Sequence, residues 1–102
     1  MELPPRDHRI ALAEAAKLTR RHRDASPGKV TSGAFRKDQL VALLNQKGCV
    51  GVRLHLGLQE NGEPTVVVTG IDAEANDLTG GVVLEQWYPC PPFCGTPNPL
   101  TT

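Results

Sequence analysis

Cys90 and Cys94 stand four positions apart in the run Tyr88-Pro89-Cys90-Pro91-Pro92-Phe93-Cys94-Gly95. A segment this rich in proline does not form helix or a central strand, so thiol, metal or packing interactions must hold it. Structural zinc takes four ligands, usually two cysteine pairs or one pair plus histidines. Cys49, His8, His22 or His55 would have to complete the set, and none of them forms a matched pair. A disulfide needs the two Cα atoms within about 7 Å, whereas extended prolines would hold them about 12 Å apart. A tight turn, with Pro92 cis, would close that gap. The third reading is packing: two small buried apolar residues in a rigid tail anchored by Trp87, Tyr88 and Phe93. Cys90 and Cys94 are therefore the candidates for a redox pair and, with an incomplete ligand set, for a metal site. Packing is the favoured expectation, with thiols free in a reducing cytosol and pairing in air. No cofactor is expected.

His55, beside Arg53 in an alternating stretch, has the chemistry of a general base or a phosphate contact. No serine, cysteine or carboxylate is placed by motif to relay a proton to it, so a packing or interface role is expected. Asp72, Glu74, Asn76 and Asp77 crowd four oxygen-bearing side chains into six residues. The glycine and glutamate positions of a calcium loop are missing, and Asx turns explain the run. Arg6, Arg9, Lys17, Arg20, Arg21 and Arg23 form a basic patch. It carries no helix-turn-helix, RNP or zinc-finger signature, which argues against a nucleic-acid partner. Glu74-Ala75, then Leu78-Thr79-Gly80-Gly81, resembles the double-glycine leader site of exported bacterial peptides, with a short cysteine-containing segment behind it.

These groups belong to a chain of 102 residues, 39% apolar, which suits one domain with a modest aliphatic core. No apolar run approaches the roughly 20 residues of a membrane span. The start, Met1 to Arg6, has no apolar stretch behind a basic one, so a cytoplasmic protein without a secretory signal is expected. Three cysteines, an odd number, argue against a secreted disulfide framework. The zero net charge conceals an asymmetry. Residues 1–37 carry nine Lys or Arg against four acids, and residues 38–102 carry two against seven. Two solvated faces account for this, and so does contact between subunits.

Asp7 can cap a helix over 8–23, with Ile10, Ala11, Ala15, Leu18 and His22 on one thin stripe. A second helix, capped by Thr31 or Ser32, carries Phe35, Leu40, Leu43, Leu44 and Lys47 and stops at Gly48. Residues 50–58 then alternate, Glu60-Asn61-Gly62-Glu63 turns, and a strand returns over 65–71. Asn61-Gly62 as a two-residue turn sets pairs whose numbers add to 123, such as Leu56 with Val67 and Leu54 with Thr69. Val52, Leu54 and Leu56 then face the helices, and Arg53 and His55 share the opposite, uncovered face with Val66 and Val68. Residues 72–81 read as a loop and 82–84 as a short third strand.

The expected class is α+β: two helices packed on one face of a small antiparallel sheet, a β-hairpin plus a short third strand. Residues 1–86 form the domain, and residues 87–102 a Pro/Cys-rich tail docked on the sheet or on a neighbouring subunit. Gly48-Cys49-Val50-Gly51-Val52-Arg53, Gly57-Leu58, Glu60-Asn61-Gly62, Gly70-Ile71-Asp72, Asn76-Asp77-Leu78 and the Cys-Pro-Pro-Phe-Cys ending resemble a family of small bacterial proteins that end in Cys-Pro-Pro-x-Cys. The resemblance implies a bacterial setting and brings no activity or site residues. The functional expectation is a non-enzymatic interaction or assembly module that forms a homo-oligomer or meets another protein. Its interface candidates are Arg53, His55, Val66, Val68, Trp87, Tyr88 and Phe93. The alternative is a peptide precursor cut after Gly81.

Overall fold

The computed structural model describes all residues 1–102. Their order is α1 (Leu12–Ala25), β1 (Ser32–Ala34), α2 (Lys37–Leu44), β2 (Gly51–Leu58), β3 (Pro64–Ile71), β4 (Val83–Leu84) and β5 (Tyr88–Cys90). Strands β2, β3 and β4 form one antiparallel sheet in that spatial order, and β1 pairs with β5 in a second, two-stranded one. The class is α+β.

The hairpin forms where the alternation and Asn61-Gly62 predict it, but its register is one residue away from expectation. Gly51 faces Ile71, Leu54 faces Val68 and Leu56 faces Val66. The loop holds three residues rather than two. Gly62 donates its N–H to the Gln59 carbonyl at 2.9 Å, which makes Glu60 and Asn61 the centre of the turn. Gly62 alone takes the positive φ, 86°, that a bulge after a type I turn requires. A slip of one residue transposes faces. Val66 and Val68 therefore join Val52, Leu54, Leu56 and Leu58, while Arg53 and His55 share the other face with Val67 and Thr69.

The core is Leu43 from α2, Val68 from β3 and Leu84 from β4, with Phe35, Leu40, Val66 and Val82 packed around it. Gln46, just past α2, accepts the Val82 N–H at 2.7 Å and so ties the helix end to the entry of β4. The helix is shorter than expected because residues 32–34 are extended. Helix α1 also starts late, at Leu12. The Asp7 carboxylate accepts both the backbone N–H and the guanidinium of Arg9, at 3.0 and 3.1 Å, and so does not cap the helix. No residue of α1 is buried, so the expected pair of helices on one face reduces to α2.

The tail docks on its own chain, against β1 rather than on the sheet face. Ser32 pairs with Cys90 and Ala34 with Tyr88, and the Thr31 N–H reaches the Cys90 carbonyl at 3.0 Å. Trp87 lies over Gly33, where any side chain would overlap the indole. Gly33→Ala should therefore destabilise by about 1–3 kcal/mol through overpacking and shift the emission of Trp87, the only tryptophan, to the red. Unchanged emission and melting would contradict this docking. Leu43→Ala should cost about 2–5 kcal/mol in urea unfolding, far more than the same truncation at exposed Leu44.

Candidate functional site

The two faces of the three-stranded sheet have opposite chemistry. On the first, Arg53 and Thr69 are cross-strand partners, and His55 follows two residues along β2. An isolated bridge between Ile71 and Asp77 brings the 72–81 loop back beside them. Asp77 then gathers the cluster. Its carboxylate accepts Arg53 Nη1 at 2.8 Å and the Thr69 hydroxyl at 3.1 Å, with His55 Nε2 at 3.3 Å. Arg53 also donates to the Ala75 carbonyl at 2.9 Å. Within the loop, Asp72 Oδ1 accepts the N–H groups of Glu74 and Asn76 at 3.0 and 2.9 Å, which is the Asx geometry expected from its sequence. Further along the same face, Glu85 accepts Thr65 Oγ1 and Gln59 Nε2, both at 2.8 Å.

This arrangement is a brace. A nucleophile relay needs the acid on His Nδ1 and the hydroxyl on Nε2. Here Asp77 and Thr69 both lie on the Nε2 side of His55, and the Thr69 hydroxyl donates to Asp77. Thr69 is 5% exposed, out of reach of a substrate. No three His, Cys, Asp or Glu side chains converge on a point that would hold a metal ion. Burial works to raise the Asp77 carboxyl. The hydrogen bonds from Arg53 and Thr69, with the charges of Arg53 and His55, outweigh it and hold the group below its ordinary 3.8.

The second face is apolar and only half covered. Helix α2 lies over β3, so Val68 is 1% exposed, while on edge strand β2 Val52 is 42%, Leu54 61%, Leu56 91% and Leu58 76% exposed. A helix about 10 Å across covers roughly two strands spaced about 4.8 Å apart. One helix on three strands leaves one strand bare, and that strand is β2. The face expected to be open, with Arg53 and His55, is partly covered by the loop and Glu85, which leaves the two side chains 37% and 40% exposed; the face expected to be the core is open along its edge. Val68 is thereby corrected from an interface candidate to a core residue, and Val66 to a half-buried neighbour of the core.

Cys90 and Cys94 form a disulfide with Cα atoms 4.8 Å apart, across a turn in which the Cys90–Pro91 and Pro91–Pro92 bonds are both cis. Cys94 is exposed and Cys90 half-buried, so they are not the buried small residues expected from packing. Tyr88 and Phe93 stack edge-on at 5.1 Å, and both remain largely exposed. Cys49 is the remaining free thiol, its Sγ 3.2 Å from the Gly51 carbonyl. No helix is long and apolar enough to cross a membrane. Comparison with protein families, curated proteins and solved structures finds no match.

Leu54, Leu56 and Leu58 are surface residues, against the expectation that this row faces the helices. Their alternation is the same whether a helix covers them or not; the available signal was that the first helix is too alanine-rich to bring a broad apolar cover.

The Asp77 brace carries a pH signature. A carboxyl lowered in the folded state contributes stability that is complete above its unfolded value and is lost as pH falls through the folded one. Melting temperature should therefore drop between about pH 5 and pH 2, and Asp77→Asn should flatten part of that drop. The remaining slope belongs to Asp7, Asp38 and Glu85, whose carboxyls are also lowered. An identical acid limb in the variant would show that the brace does not stabilise the fold.

Proposed function

We propose that this chain is a small self-associating interaction module, acting through the open apolar face of β2 rather than through chemistry on a substrate. The single observation that carries the reading is the exposure of Val52, Leu54, Leu56 and Leu58 in one row on an edge strand. Each leucine left in water forfeits roughly 1.5–3 kcal/mol of burial. Three together approach the whole stability of a small domain, about 5–15 kcal/mol. Only four apolar residues are buried in the single chain, and its radius of gyration is 15.3 Å. A compact chain of this length would measure about 13 Å. An isolated copy thus has an incomplete core, and a partner surface supplies the rest.

A second copy suits that surface because the chain carries no net charge to oppose self-contact. The peptide-precursor reading has less support. Leu84 and strand β4 lie beyond Gly81, and Leu84 is one of three residues in the core cluster. Cleavage after Gly81 would take part of the core with the product.

Light scattering at micromolar concentration should give at least twice the 11.0 kDa of one chain. Leu56→Lys should bring the mass down to one chain. Leu56 is so exposed that the substitution costs a single copy less than about 0.5 kcal/mol. A wild-type mass of one chain at these concentrations would overturn the reading.

A further inference from the structure

We propose that two copies join β2 to β2, antiparallel, about a twofold axis at His55, so that their three-stranded sheets become one six-stranded sheet. This rests on the self-association reading and specifies its geometry. The Gln59 N–H bonds the Glu63 carbonyl at 2.8 Å, which fixes the hydrogen-bonding phase of the hairpin. In an antiparallel ladder, alternate residues exchange both backbone bonds with the partner strand. With the observed register, Gly51, Arg53, His55 and Gly57 bond inward to β3. The N–H and C=O groups of Val52, Leu54, Leu56 and Leu58 therefore point outward along a free edge.

The sequence of that edge has none of the usual blocks, and the lead-in from Glu2 to His8 lies beside its Val52 end, lining one cavity with Val50, Gly51 and Val52. Between residues 51 and 58 there is no proline, no lysine and no acid. Its one permanent charge, Arg53, is held by Asp77. The row is also self-complementary. Antiparallel pairing through even-numbered residues of both strands requires paired numbers with an even total. The register that engages all four outward residues sets Val52 against Leu58 and Leu54 against Leu56 of the second copy. Arg53 then faces a glycine, Gly57, so no like charges meet at that step. The twofold axis runs perpendicular to the sheet and keeps both α2 helices on one face. The two leucine rows consequently lie side by side in the valley between those helices. The same residues thus supply the hydrogen bonds and the apolar contact, which favours a second copy over an unrelated partner.

Cysteine cross-linking in a Cys49→Ser background tests this geometry. His55→Cys places the thiol on the axis, opposite its own copy at a non-hydrogen-bonded pair, where Cβ atoms approach to about 4.5–5.5 Å. Mild oxidation should give a covalent dimer, whereas Val67→Cys, one strand further in on the same face, should stay single. Mixing Leu54→Cys and Leu56→Cys chains, both changed at exposed positions, should give the mixed dimer in excess over either symmetric one; this arm holds even if His55→Cys folds poorly. A doubled mass by light scattering without these cross-links would overturn the edge pairing and leave self-association standing. Equal cross-linking at His55 and Val67 would overturn it too. A single-chain mass would overturn both.

Discussion

One contact sets the terms for the rest of the molecule: α2 seated over β3, with Leu43 against Val68 and Leu84 closing the cluster. A single eight-residue helix has one apolar stripe and about 12 Å of length to give. It encloses the middle of the sheet and stops short of β2. Helix α1 buries no residue and residues 32–34 form a strand, so no second helix covers the sheet. The open leucine row follows from this shortage of cover, not from any peculiarity of β2 itself.

The polar face shows the opposite economy. A loop with no regular structure, 72–81, is stiffened by the Asp72 turns and delivers Asp77 to Arg53, His55 and Thr69. The residues that looked most chemical in the sequence are thereby committed to one another. The Cys-Pro-Pro-Phe-Cys turn plays a comparable local part beyond β5, where the disulfide and the Tyr88–Phe93 stack shape a tail already held by β1. Both features lie near the surface and leave the apolar edge of β2 without an internal partner.

Much of this was legible in the sequence. Alternation in 50–58 and the Asn61-Gly62 signal located the hairpin to within a residue, and Val82 to Leu84 were readable as a short strand. The register was not, because Asn-Gly fits both a two-residue turn and the last two positions of a three-residue loop; one residue of difference exchanges the faces. The strand at 32–34 was hidden as well. Its partner is 56 residues away in the chain, and Gly33 gives no local β signal; its lack of a side chain matters only because Trp87 lies on it. Asp77 as the hub of the brace was likewise a tertiary fact. Sequence shows an acidic loop but not which carboxylate returns to the sheet.

Hydrogen exchange at the β2 amides tests the account most directly. Arg53 and His55 bond inward and should be protected at every concentration. The outward N–H groups of Leu54 and Leu56 should be protected only when the protein is concentrated, and should exchange freely on dilution as two edges separate. Fast exchange of Leu54 and Leu56 at all concentrations, with Arg53 and His55 still protected, would contradict it.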